Sequence, residues 1–478
     1  MKRLIEAYKA MSVPLKSALC FAIGNFIQVG INVVTTPIFT RVLSMDEYGK
    51  LYVFTSWTDI VVILIALSAW RGMLNLFSKD TDKDRCLSAV IGMSIVISVF
   101  WIIVVAFLGK YANYYLGLSP IMLIYILAFS ISQNVILAWT VRKQYDYKYG
   151  VVVAVNIVYA LVTSIGGLLL IIFIDKKAEI KLLPQVVCIS VVALCIVIIS
   201  LRKSNVCFDK KIWQYCMGFA IPLIPHYFSE IVLQSSDKIM IDRMCSSSDV
   251  SVYGIAYTTG SLIMILAGAI NSAFVPYQYQ KIKSKEYGEL AKNTNYIIGF
   301  IALTLSLLLL FSREVVLIFG GEQYKDSIPI ITPICLGVFF NYVFQLFARV
   351  QEYFEQKGTI VIASVSCAVL NIVLNAIFIR KYGFCAASYT TFICYFIFCI
   401  LHYFFYLHAC KKNIKTQIYD IRGLILISAC LIIFSVIIGF LNNFVFIKYI
   451  ILALFVALLF IFRKRLIELI NKIRKVEE

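Results

Sequence analysis

Long apolar runs separated by short polar stretches follow one another from residue 17 to residue 462. A helix that crosses the hydrocarbon core of a bilayer needs about 20 mostly apolar residues. Fourteen runs near that length stand out, numbered here segments 1 to 14: 17–40, 50–77, 87–108, 119–141, 150–174, 184–201, 215–241, 252–279, 294–312, 328–349, 359–379, 384–408, 423–441 and 447–462. The pattern predicts an all-α polytopic membrane protein with about fourteen transmembrane helices. Segment 1 is too long, and lacks a small-residue cleavage site, for a removable signal peptide, so it is expected to stay as a helix. No loop after an odd-numbered segment exceeds roughly 15 residues, which leaves the machinery inside the bundle.

Polar positions inside the apolar runs carry the next layer of information. Segment 7, within Met217–Arg243, holds His226, Glu230, Gln234 and Asp237 on an arc of about 80° at 100° per residue, with Lys238 beside them. Ionisable groups at membrane depth are expensive and face a bundle interior or a water-filled path; the competing reading is a set of interhelical hydrogen bonds. Segment 1 has a matching stripe of Asn25, Gln28, Asn32 and Thr36. Arg71 in segment 2, with Ser68 and Asn75 on the same face, must find an anion, carbonyls or water, or else snorkel to the loop about two turns away. Segment 10 adds Asn341, Gln345 and Arg349 at spacings of four, with Arg349 expected to snorkel. Pro37, Pro222 and Pro225 remove backbone hydrogen bonds and mark candidate hinges.

Composition agrees with the pattern: 61% of residues are hydrophobic, 15% charged, and the mean hydropathy is +0.88. The net charge of +18 is spread over short loops rather than clustered, so it reads as topological charge and not as a nucleic-acid surface. Both termini and the even-numbered loops carry 30 Lys and Arg residues, against 12 in the odd-numbered loops. That asymmetry places both termini in the cytoplasm. The 14 cysteines lie mostly in apolar segments without a CxxC pair, so neither a disulfide framework nor a metal site is expected, and no cofactor is called for.

The halves of the chain echo one another. TRVLSMDEYGKLYVFTSW from Thr40 resembles DRMCSSSDVSVYGIAYTTG from Asp242, and QYDYKYG (Gln144–Gly150) resembles EYFEQKG (Glu352–Gly358), at offsets of 202 to 208 residues. Each unit holds six helices, so the copies share an orientation and would be related by a pseudo-twofold axis along the membrane normal. The expected division is an N-terminal lobe at 1–201, a C-terminal lobe at 202–410, and an appended helix pair with a basic cytoplasmic tail at 411–478.

The TPIFTRVLSMDEYGKLYVFTSW and LQSSDKIMIDRMCSSSDVSVYGIAY stretches, together with the duplicated plan and added pair, resemble the Wzx-type O-antigen and polysaccharide flippases. These belong to the multidrug/oligosaccharidyl-lipid/polysaccharide flippase superfamily. The resemblance implies a MATE-like fold of two lobes around a central cavity that opens alternately to each side. It implies transport of an oligosaccharide on polyprenyl diphosphate from the cytoplasmic to the outer leaflet of a bacterial inner membrane. The product would feed O-antigen, capsule or exopolysaccharide synthesis, with a polymerase and chain-length machinery as partners. Asp237 matches the family's acidic position in helix 7, and Arg71 is the residue that would meet the anionic head group.

The residues favour such a substrate over its competitors. A lipid-linked sugar needs a cavity that is polar for the glycan and cationic for the diphosphate, and Arg71, Asn25, Gln28, Asn32, Asn75, Gln234 and Lys238 are the expected lining. His226, Glu230 and Asp237 are the expected proton-coupling groups, with Lys238 as a salt-bridge partner of Asp237 or a second diphosphate contact. The alternatives are a cation-coupled multidrug exporter and a peptidoglycan-precursor flippase of the same superfamily, then a membrane polymerase or a channel. An exporter would be expected to carry acids in segment 1, where none occurs between Leu15 and Phe39. No paired catalytic acids or outer domain support an enzyme.

Overall fold

A computed structural model of the chain describes residues 13–77, 81–204, 206–441 and 449–450. Segments 1 to 13 each form a helix, labelled here with the segment number. They are α1 (Val13–Val42), α2 (Met45–Ala66), α3 (Lys83–Leu116), α4 (Pro120–Tyr145), α5 (Tyr149–Leu161 and, past a π turn, Gly167–Phe173), α6 (Ala178–Ser204), α7 (Lys210–Ala220, then Ile224–Met244), α8 (Ser247–Ser284), α9 (Tyr287–Leu310), α10 (Ile328–Tyr353), α11 (Lys357–Tyr382), α12 (Cys385–Asn413) and α13 (Ile421–Leu441). Twelve of them, α2 to α13, are long and apolar enough to cross a membrane. The chain is thus an all-helical, multi-pass membrane protein, and no strand occurs among the described residues. Segment 14 and the basic tail lie outside the described residues, apart from Tyr449 and Ile450.

The repeated motif is a helix start used twice. Ser44 caps α2 by accepting from the Glu47 backbone N–H at 3.2 Å, and Ser246 caps α8 by accepting from that of Asp249 at 3.1 Å. Both are the Ser-x-x-acid arrangement that satisfies orphan N–H groups at a helix entrance. The Tyr-Gly that follows each cap brings the two helices together. A Cβ added at Gly49 would lie 1.7 Å from the Ser247 carbonyl oxygen, and one at Gly254 would lie 2.2 Å from the Tyr52 ring. In a bilayer, where lipid is as apolar as leucine, such close approach through small residues is a main source of helix association. Tyr52 and Thr258 add a hydroxyl–hydroxyl hydrogen bond of 2.8 Å across the same contact.

At the odd-loop end, the Arg41 of the first motif donates to the Ile318 and Leu317 carbonyls at 3.1 and 3.2 Å, and Thr40 donates to that of Phe319 at 2.5 Å. These are carbonyls of the last turn of a short helix, Ser312–Phe319, between α9 and α10, and a basic side chain there is well placed. Buried side chains run almost without interruption from Ile330 to Val350 along α10. Its Phe344 and Phe347 stack on Phe398, His402 and Tyr406 or their neighbours on α12. By contrast α3 and α5 turn large apolar side chains outward, Phe107 at 79% and Phe173 at 80% exposure, as lipid-facing helices do.

Candidate functional site

Two helices of the bundle break, and they break beside each other. After Ala66 the residues Leu67 and Ser68 take φ of 49° and 54°, a left-handed conformation that costs non-glycine residues about 1–3 kcal/mol each and marks functional sites. A 3₁₀ turn, Ala69–Gly72, and a short helix, Met73–Phe77, complete the span. In α7 the break is a 3₁₀ turn at Ile221–Leu223 containing Pro222, with Pro225 opening the second half; neither proline can donate a backbone bond. Gly72 sits against α7, where an added Cβ would come within 3.2 Å of the Cys216 Cα. By comparison α1 runs unbroken through Pro37, and hydroxyls of Thr35 and Thr36 bond the Ile31 and Asn32 carbonyls at 2.9 and 2.8 Å. α1 thus stays helical through Pro37, while α7 turns to 3₁₀ at Pro222.

Arg71 bridges the two breaks. Its guanidinium carbon lies 3.8 Å from the Tyr227 ring centroid and 4.5 Å from that of Trp70. Its Nε is buried without a hydrogen-bond partner, and among the described residues it closes no ion pair. The guanidinium is thus turned onto α7 rather than toward the loop. Asn75 is exposed on the short helix that follows.

The α7 stripe divides in two. His226 pairs through Nδ1 with the Ser364 hydroxyl of α11 at 2.7 Å, and its Nε2 stands 3.8 Å from Glu230, whose side chain is 39% exposed. Gln234 is exposed. Lys238 lies 4.4 Å over the Tyr257 ring of α8, and the carboxylates within its electrostatic reach are Asp59 and Asp237. Asp59, on α2, accepts from Ser235 at 3.2 Å. The salt bridge considered between Lys238 and Asp237 does not form. The 100° step between them puts Lys238 in the α2–α7 seam and Asp237 in the opposite wall.

In that wall Asp237 is 1% exposed and is surrounded by neutral donors. Tyr253 of α8 donates to it at 2.7 Å, Asn375 of α11 at 2.6 Å and Thr391 of α12 at 2.5 Å. Asn375 also donates to Asn371 at 3.2 Å, Ser236 donates to the same amide oxygen at 3.0 Å, and Thr390 donates to Asn375. A buried carboxylate with hydrogen bonds but no paired cation is stable only if those bonds hold, or if it takes up a proton or a monovalent cation. The oxygen-rich surroundings suit either. Among the described residues no three His, Cys, Asp or Glu side chains converge as a metal site.

The α1 stripe belongs to a different space. Gln28, Asn32 and Thr36 line a cavity of about 250 Å³ in the N-terminal half, together with Tyr48, Tyr159 and Lys181 from α2, α5 and α6. The side chain of Asn25 lies outside the described residues. Gln28 and Asn32 line this pocket, whereas Arg71, Gln234 and Lys238 do not. Three components escaped the sequence reading. Asp59 is one acid in the apolar run WTDIVVILIAL, Lys181 falls among loop charges, and Asn371, Asn375 and Thr391 are scattered over two helices. Only the lone acid left a signal strong enough to have been found.

Comparison with known proteins places this architecture. The family model described as polysaccharide biosynthesis protein matches residues 15–281, and the MatE model matches 222–377. The chain is 23% identical over 394 residues to a "probable low-salt glycan biosynthesis flippase", Agl15 of Haloferax volcanii, covering 81% of this chain and 82% of that protein. Its fold matches the lipid II flippase MurJ in an inward closed conformation with a TM-score of 0.66 at 16% identity, over 94% of this chain and all of MurJ. It matches an inward-facing MATE multidrug resistance transporter with a TM-score of 0.59 at 12% identity, over 81% and 96% of the two chains. With more than half of its length matched by one family model, the chain belongs to the polysaccharide biosynthesis protein family, within the multidrug/oligosaccharidyl-lipid/polysaccharide flippase superfamily.

Proposed function

We propose that this protein flips polyprenyl-diphosphate-linked oligosaccharide repeat units from the cytoplasmic to the outer leaflet of the cell membrane, for O-antigen, capsule or exopolysaccharide synthesis. The observation that carries this reading is Arg71, a permanent cation without a carboxylate partner among the described residues, held where two discontinuous helices meet. A guanidinium matches phosphoryl oxygens bidentately, and broken helices at the junction of repeated units are where transporters bind and rearrange. The similarity to a protein named as a probable low-salt glycan biosynthesis flippase supports the substrate class. On this reading residues 1–201 and 202–410 move as two lobes, and both termini face the cytoplasm. The breaks at Leu67–Ser68 and Pro222–Pro225 are the hinges, Pro37 contributing a softer point. Gln28, Asn32, Asn75, Gln234 and Lys238 present donors to the sugars. A polymerase and chain-length proteins receive the product.

Coupling is assigned to α7. Uptake of a proton at Asp237, relayed by Glu230 and His226, loosens the donors that tie α7 to α8, α11 and α12, which links ion entry to rearrangement of the C-terminal half. A drug exporter of the same superfamily is the reading that the embedded acids Asp59 and Asp237 favour, and transport assays separate the two. Arg71→Ala is expected to abolish surface-glycan export at normal protein levels, with Arg71→Lys retaining part of it. Full export by the alanine variant would overturn the assignment. In vesicles, Glu230→Gln and Asp237→Asn are expected to lose acceleration by an imposed pH gradient; unchanged gradient dependence in both would remove α7 from coupling.

A further inference from the structure

Besides Arg71, a second cation without an ion-pair partner among the described residues of the N-terminal half is Lys181. It belongs to the first turn of α6, with its stem over Phe39 of α1 and its Nζ 5.3 Å from that ring's centroid, at the wall of the 250 Å³ cavity. Its position is built by a local device in α5. The π turn Val162–Gly166 inserts an extra residue, so that Thr163 and Ser164 line the cavity; π turns inside helices recur at functional sites. The turn delivers Gly167 to the crossing with α6, where a Cβ would press to 3.2 Å on the Lys181 carbonyl oxygen and 3.4 Å on its side chain.

The nearby acids are committed elsewhere. Glu47 accepts from the Ala178 backbone N–H at 2.6 Å and from Lys50 at 2.7 Å, and Glu179 accepts from Ser119. No carboxylate lines the cavity, and among the described residues Lys181 closes no ion pair. The lining hydroxyls of Thr35, Thr36, Thr55 and Thr163 spend their protons on helix carbonyls, and Lys181 is the charged donor on the wall, beside the amides of Gln28 and Asn32. Lys238, by contrast, lies over the Tyr257 ring and donates to the Gln234 carbonyl at 3.5 Å. A cavity of about 250 Å³, just under the roughly 300–1,000 Å³ of drug-sized pockets, admits one acidic group or one sugar ring rather than a whole repeat unit.

We propose that this cavity is an oxyanion subsite, at the end of the bundle opposite Arg71, which takes a phosphoryl or carboxylate group of the translocated substrate. Arg71 and Lys181 lie near opposite ends of the N-terminal half, so an anionic head group has one cation at each membrane face. The assignment of the occupant as substrate rests on the flippase reading; the presence of an anion site does not.

The test has two parts. Purified wild-type protein in lipid nanodiscs is treated with an amine-acylating reagent, and modification of Lys181 is followed by mass spectrometry with exposed Lys176 as internal control. Inorganic pyrophosphate or glucuronate is expected to slow modification of Lys181 several-fold and to leave Lys176 unchanged, whereas glucose should protect neither. Equal labelling of Lys181 with and without both anions overturns the subsite. In reconstituted vesicles, Lys181→Gln is expected to slow flipping at least about tenfold, the value of one charged hydrogen bond, with Lys181→Arg restoring most of it. Loss with a neutral and a uronate-bearing lipid-linked glycan alike identifies the diphosphate as occupant; loss confined to the uronate-bearing one identifies the sugar acid. Wild-type rates with both substrates in Lys181→Gln overturn the substrate role. Absence of flipping by the wild type, with anion protection intact, would count against the flippase reading alone.

Discussion

The N-terminal cavity and the Asp237 cluster treat a single charge in opposite ways. Lys181 stands in an open pocket among amides, with its neighbouring acids engaged by other partners. Asp237 is sealed, with three donors from three helices locked on its two oxygens. The first arrangement leaves a charge to be satisfied by something that arrives. The second makes the charge a tie between helices, to be released only when its ionisation changes. The two sites thus differ in whether the charge is open to an arriving group or already bound by neighbouring helices.

The largest effect should come from cutting that tie. Asp237→Ala would orphan the Tyr253, Asn375 and Thr391 donors, each worth about 1–3 kcal/mol when left unsatisfied, so the detergent-purified protein is expected to lose about 3 kcal/mol or more of unfolding free energy, read as a lowered unfolding midpoint. Asp237→Asn keeps one acceptor and should lose less. Equal stability of the alanine variant and the wild type would mean that the cluster ties nothing.

The joint between the halves comes next. Gly49→Ala drives a methyl onto a backbone carbonyl and should cost about 3 kcal/mol, while Gly254→Ala meets the Tyr52 ring, which can turn aside, and should cost about 1 kcal/mol. Thermal unfolding of the two variants side by side checks the ranking; a reversed order would mean that the helices, not the ring, give way.

A smaller effect is expected where α7 begins. The backbone N–H of Ile212 and the guanidinium of Arg85 hold the Asp209 carboxyl below the usual carboxylate range. The folded value lies below the unfolded one, so this stabilisation is present above about pH 4 and is lost as pH falls through the folded value. Asp209→Ala should cost about 1 kcal/mol at neutral pH and flatten the decline of the unfolding midpoint between neutral pH and pH 3. An unaltered slope would assign acid sensitivity to other groups.

The smallest effect sharpens the contrast most. Lys181→Gln should change the unfolding free energy by no more than about 0.5 kcal/mol, because among the described residues Lys181 closes no ion pair. A large destabilisation would make Lys181 a structural residue and erase the difference from Asp237.

The apolar periodicity was sufficient for the spans, because a helix that must satisfy every backbone group internally is written into consecutive residues. For α2 to α13 the observed helices follow segments 2 to 13, and Ser44 and Ser246 start α2 and α8 as the repeated motif implies. Asp237 was legible as special because a carboxylate in an apolar run has few innocent explanations. Its partners were not, since Asn371, Asn375 and Thr391 look like ordinary polar residues until α11 and α12 pack against α7.

Tertiary structure alone decided which charges meet. Sequence puts Lys238 next to Asp237, but helical rotation turns one over the Tyr257 ring and the other toward Tyr253, Asn375 and Thr391. It puts Lys181 in a loop tally, but the π turn and Gly167 draw α6 inward until that lysine faces the amides of α1. It marks Pro222 as a hinge, yet gives no sign that Leu67 and Ser68 would break α2 alongside it. The length and apolarity of a span are properties of neighbouring residues, whereas a charge's partner is chosen by how separate helices are rotated and how closely they pack.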